Sequence, residues 1–124
     1  MFEFPKKQKL CNETAIKEMF SNGKSFVIPP IRLVWKGEVN SDAVAIKSII
    51  VVPKKNIKLA TDRNIVRRRM KEAYRLNKAK IENYLSDNNR QVNIAIIYQN
   101  EKILSHKVIE EKIKLILGRL QEEI

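Results

Sequence analysis

Cysteine, histidine and acidic residues are all scarce in this chain, and each shortage removes a class of chemistry. One cysteine, Cys11, cannot close an internal disulfide or build a Cys-based zinc site. It reads as an ordinary reduced thiol, which points to a cytoplasmic protein. The one histidine, His106, is expected in the first turn of a helix and solvated. Asp42, Asp62 and Asp87 stand apart, in turns or at a helix cap, whereas a metal nuclease needs clustered carboxylates. With no nucleophile-His-acid constellation and no Gly-rich phosphate loop, the chain has no catalytic residues of its own and no motif for a metal or other cofactor. Long apolar runs are missing too. None approaches the roughly 18–20 residues of a membrane span. The start, Met-Phe-Glu-Phe-Pro-Lys-Lys, lacks the apolar segment of a secretory signal.

What the sequence has is positive charge, and it is localised. The formal net charge is +11 over 124 residues, and the stretch from Pro53 to Lys80 holds eleven Lys or Arg against two acids, Asp62 and Glu72. Placed on a 3.6-residue helix, Val66, Met70, Ala73, Tyr74, Ile81 and Tyr84 share one side. Asn64, Arg68, Lys71 and Arg75 share the opposite side, with Arg67 and Lys78 beside them. A merely solvated helix face mixes signs, because Glu and Lys four apart support each other. Here Arg67, Arg68 and Arg69 are consecutive. Such self-repulsion is tolerated where a polyanion will cover the face, and guanidinium forks match phosphate geometry. The residues therefore point to nucleic-acid binding.

An apolar fraction of 44% with 31% charged residues describes a globular chain, and 124 residues make one domain, 1–124. Residues 1–10 read as a basic extended arm. Asn12 can cap a short helix in which Ala15, Ile16, Met19 and Phe20 form an apolar patch, and Asn22-Gly23 offers a left-handed stop. Ile16 and Phe20 fit either core packing or an open groove. Strand patterning begins at Ser25, breaks at Pro29-Pro30 and resumes over Ile31–Trp35. A proline pair marks an edge, a bulge or a break between two strands. Residues 37–42 read as a turn and 43–52 as a strand. Lys54, Lys55 and Lys58 then form a basic loop into the central helix, with Thr61 or Asp62 as N-cap. The positive end of that helix lies at Arg63 and Asn64. The helix is expected to run to about Leu85 and to be followed by turn residues 86–89. A central strand over Val92–Tyr98 and a last helix from near Ser105 complete the order, the latter burying Ile109, Ile113, Ile116, Leu117 and Leu120. This is an α+β sandwich: one sheet with helices packed on it.

The segment P-K-K-N-I-K-L-A-T-D-R-N-I-V-R-R-R-M-K-E-A-Y-R resembles the signature of the bacterial ribonuclease P protein subunit. The similarity extends to a first helix ending in Phe20 and Gly23 and to the order of elements, so it covers nearly the whole chain. It implies an αβββαβα fold, one mixed sheet packed by helices, with an unusual left-handed βαβ crossover. It also implies an accessory subunit of an endoribonuclease, in which the RNA performs the hydrolysis with Mg²⁺. The protein would bind ribonuclease P RNA through Lys54, Lys55, Lys58, Arg63, Asn64, Arg67, Arg68, Lys71, Arg75 and Lys78. It would hold the 5′ leader of precursor tRNA in a groove at Ile16, Phe20 and Val34, assisting leader removal, with no protein partner required. Three positions depart from the family pattern, the first being Ile16, which stands where an aromatic is expected on the first helix while Phe20 is kept. Ile65 replaces the third residue of the Arg-Asn-Arg motif, and the strand aromatic falls at Val34, with Trp35 adjacent on the other face. The alternative is a non-catalytic RNA-binding module, ribosome-associated or a chaperone. A DNA reader would need base-contacting polar residues, and this helix offers mostly cations.

Overall fold

The computed structural model describes residues 13–37 and 44–124. In chain order the elements are α1 (Glu13–Asn22), β1 (Lys24–Ile28), β2 (Ile31–Gly37), β3 (Ile46–Val51), α2 (Ala60–Asn77), α3 (Ala79–Asp87), β4 (Val92–Tyr98) and α4 (His106–Glu123). The four strands form one mixed sheet in the order β1-β2-β4-β3. β1 and β4 both run antiparallel to β2, and β3 runs parallel to β4. The basic loop, α2 and α3 make the crossover between those parallel strands. The proline pair is the break between β1 and β2: Ile28 pairs with Ile31 across a turn whose Pro29-Pro30 bond is cis.

Register sorts the side chains onto two faces, since strand residues alternate. Leu33, Ile96 and Ile50 line up on one face, as do Trp35 and Ile94. There they join Val66, Met70, Ala73 and Tyr74 of α2 and the five expected apolar residues of α4 in the main core. Val34, Ala95 and Ile49 line up on the other face, where Met19 of α1 packs on Val34 and Ala95. β4 is buried along nearly its whole length, as befits a central strand with layers on both sides. Trp35 is thus a core residue, and Val34 is the residue beneath α1.

Several boundaries differ from the sequence expectation. β3 is shorter than residues 43–52 because its only ladder is with β4, which begins at Val92; Val92 N donates to Ala45 O (2.9 Å) at the mouth of that ladder. Residues 1–12 and 38–43, including the basic arm, Cys11, the Asn12 cap and most of the turn, lie outside the described residues. α2 starts from Leu59, which has no side-chain cap bond, so neither Thr61 nor Asp62 is the N-cap. Buried Ile57 fixes the chain just before the helix, and Arg63 reaches back to the carbonyls of Ile57 (3.0 Å) and Lys58 (2.7 Å). The long helix is also divided. Asn77 Nδ2 donates to Ala73 O at 2.8 Å, and α3 starts after Lys78.

Gly23 is not a left-handed stop, since no described glycine has positive φ. It is needed because its backbone lies against two others. Its N–H donates to Met19 O (2.8 Å), and a Cβ there would press on that oxygen and lie 2.7 Å from Trp35 O. Gly23→Ala must therefore push α1 away from β2. A loss of ~1–3 kcal/mol, the usual cost of overpacking, is expected in denaturant unfolding.

Candidate nucleic-acid interface

The chain holds α2 by its apolar side. Val66, Met70, Ala73 and Tyr74 are fully or almost fully buried, and burial pushes the Tyr74 phenol far above its ordinary range. The opposite side is left to solvent, and its cations and those of the preceding loop differ in what they touch. Lys54, Lys55 and Lys58 in the loop, with Arg68 and Lys71 on the helix, are exposed and have no acidic partner among the described residues. Arg63 is half-buried and spends its guanidinium on the loop carbonyls. Arg67 donates to Asn64 Oδ1 at 2.9 Å, which fixes both side chains while leaving the positive charge intact. Arg75 is the exception: it forks onto Glu72 at 2.5 and 3.2 Å, and this bond holds the Glu72 carboxyl below its usual range.

Lys78 does not belong with them. It is 5% exposed at the junction between α2 and α3, so it is not offered to a phosphate on the helix surface. Sequence reasoning missed that break, which an unbroken 3.6-residue period conceals. It also gave Arg69 no separate role. Arg69 Nη1 donates to Leu104 O at 2.6 Å, bolting α2 to the segment that leads into α4. The available signal was its angular position, away from Arg68 and toward the α4 side.

The second expected site lies on the far face of the sheet. Phe20 is 46% exposed, Ile16 is half-buried against the Met19–Val34–Ala95 cluster, and Val34 is 3% exposed beneath Met19. Val34 is therefore floor under α1 and is closed to a stacking base, whereas Phe20 is open. Cations that the sequence reading passed over share this face. Arg32 lies one strand position pair from Val34, and Lys36 and Lys47 flank Asn93 in register. Lys36 Nζ also meets Glu18 Oε1 at 2.8 Å, joining α1 to β2. The period-2 alternation of I-R-L-V-W-K was the signal for this row.

Among the described residues no cluster of His, Cys, Asp and Glu could hold a metal ion, and no helix is long and apolar enough to cross a membrane. His106 is exposed in the first turn of α4, with Nε2 3.7 Å from Glu110.

The family model described as ribonuclease P matches residues 4–121. The chain belongs to the ribonuclease P protein family. The ribonuclease P protein components of two Porphyromonas gingivalis strains are 29% and 31% identical, over 96% of this chain and 87% of their own length. The fold is also that of the Staphylococcus aureus RNase P protein (TM-score 0.72, 18% identity, 91% of this chain and 94% of that one). It matches the Thermotoga maritima RNase P protein similarly (TM-score 0.71, 22% identity, 90% and 96%). The chain is thus a component of an endoribonuclease complex with a role in tRNA 5′ processing.

Neighbouring arginines of one helix are expected to separate in a melting experiment. Arg69→Ala removes a charged hydrogen bond and should lower stability by ~1.5–3 kcal/mol. Arg68→Ala, at an exposed position with no partner among the described residues, should change it by no more than ~0.5 kcal/mol.

Proposed function

We propose that this chain binds the catalytic RNA of ribonuclease P through the exposed face of α2 and the loop before it. There it assists endonucleolytic removal of the 5′ leader from precursor tRNA in the cytoplasm. The observation that carries the reading is a set of exposed cations with no acidic partner among the described residues: Lys54, Lys55 and Lys58 in the loop, and Arg68 and Lys71 on the helix side opposite its buried stripe. Arg63, Asn64 and Arg67 add donors held in place by their own hydrogen bonds. Arg75 contributes less, because Glu72 already occupies it. Hydrolysis and its Mg²⁺ belong to the RNA; the protein supplies counter-charge and positioning.

Mixing the protein with a ribonuclease P RNA and precursor tRNA at limiting Mg²⁺ tests this. Cleavage should rise with protein present, and the protein alone should cleave nothing. RNA affinity should fall with salt at a log-log slope of about −0.7 to −0.9 per phosphate contact. Arg68→Ala and Lys71→Ala should each flatten that slope by about one contact while the fold persists. RNA binding without stimulated cleavage would instead favour the ribosome-associated or chaperone module.

The leader of the precursor is assigned to the face carrying Phe20. An exposed aromatic ring stacks on an unpaired base whatever its identity, at ~1–3 kcal/mol per base. Phe20→Ala should weaken precursor tRNA binding by about that amount and leave mature tRNA binding unchanged. Because the ring is 46% exposed, the melting temperature should stay near wild type. A large drop in melting temperature with unaltered substrate preference would return Phe20 to the core.

A further inference from the structure

A second feature of the surface is used by neither of these sites. A groove of about 790 Å³ runs between the α2–α3 junction and the outer side of α4. Its walls are apolar: Leu115 is 55% exposed, and Leu76 and Tyr84 are half-buried. Gly118 lies between them on α4. Glycine is a poor helix former, and the fold does not require one here. Its φ is not positive, and a Cβ would meet nothing within 4 Å. A mid-helix glycine that opens a cleft beside an exposed leucine and a tyrosine suits close approach by another molecule.

Charge and position identify that molecule. Lys80 and Lys114 stand on the rim, both exposed and without an acidic partner among the described residues. The rim's acid is Glu122, and Arg119 is already paired to Glu123 at 2.9 Å. A second copy would set the same two lysines against each other on a chain of net charge +11. An RNA would meet them with phosphates. Leu76 directly follows Arg75, so the groove opens where the cationic stripe of α2 ends. We infer that the groove receives an unpaired nucleobase of the partner RNA, packed on Tyr84 and Leu115, with Lys80 and Lys114 on the flanking phosphates. This rests on the proposed binding of ribonuclease P RNA by α2.

Gly118→Leu tests it, because the substitution fills the groove while improving helix propensity. Binding to ribonuclease P RNA should weaken roughly tenfold, within the range of base-aromatic stacking. The salt slope should match wild type, since no phosphate contact is removed, and the melting temperature should be equal or higher. Leu115→Asn, a change at an exposed position, should weaken binding in the same direction and covers the case in which the filled variant misfolds. Wild-type affinity in both variants, with Arg68→Ala and Lys71→Ala still flattening the slope, would overturn the groove alone. Failure of the unaltered protein to bind the RNA would overturn the α2 reading and the groove together. A concentration-dependent dimer in sedimentation, abolished by Gly118→Leu, would give the groove to a second copy and overturn the assignment.

Discussion

Burial of one side of α2 is the condition on which the rest of the molecule depends. The helix carries three consecutive arginines, with a further lysine and arginine in the following turns, and in isolation they would repel each other. Val66, Met70, Ala73 and Tyr74 outweigh this: a fully buried large side chain contributes ~1.5–3 kcal/mol, whereas exposed like-charge pairs one turn apart cost only a few tenths. Arg69 and Arg63 add hydrogen bonds to the chain on either side of the helix. The cationic face is thereby presented on a rigid support, so the backbone beneath it has little conformational freedom left to lose.

The same division explains which features were legible in the sequence. The apolar stripes of α2 and α4, the buried run of β4 and the proline break between β1 and β2 were all readable, because each follows from a local period or a missing donor. Ser105 caps α4 as its position suggests, accepting from Val108 N at 3.3 Å. What could not be read depends on contacts between distant segments. The length of β3 is set by where β4 begins. The start of α2 is set by Ile57 in the core, a residue that no capping rule considers. Gly23 looks like a helix stop, and its real constraint is the carbonyl of Trp35 on a neighbouring strand.

Within the candidate interface, charge alone was an incomplete guide. Eleven basic residues in one stretch resemble a single surface, yet they do different work. Lys78 is inside, Arg69 and Arg63 tie loops, Arg75 is matched by Glu72, and the remainder face solvent. Ile65, which stands where the family pattern has a cation, is half-buried at the edge of the stripe. With that position apolar, the cations of the candidate interface that have no acidic or backbone partner among the described residues are the loop lysines, Arg67, Arg68 and Lys71.

The strand order β1-β2-β4-β3 also has a bearing on how the chain is made. β2 and β3 are not neighbours; they are joined only through β4, the last strand to be synthesised. Until Val92–Tyr98 has emerged, the sheet exists only as the β1–β2 hairpin, and α2 has neither a completed sheet nor α4 to cover its apolar side. Pairings this far apart in sequence form late, and the intermediate that precedes them exposes hydrophobic surface. In a nascent chain that surface lies on the back of a strongly cationic helix, beside the RNA of the ribosome that is making it. The partially made protein therefore exposes apolar surface that the finished one does not, and it is covered only when β4 has paired and α4 has docked on α2.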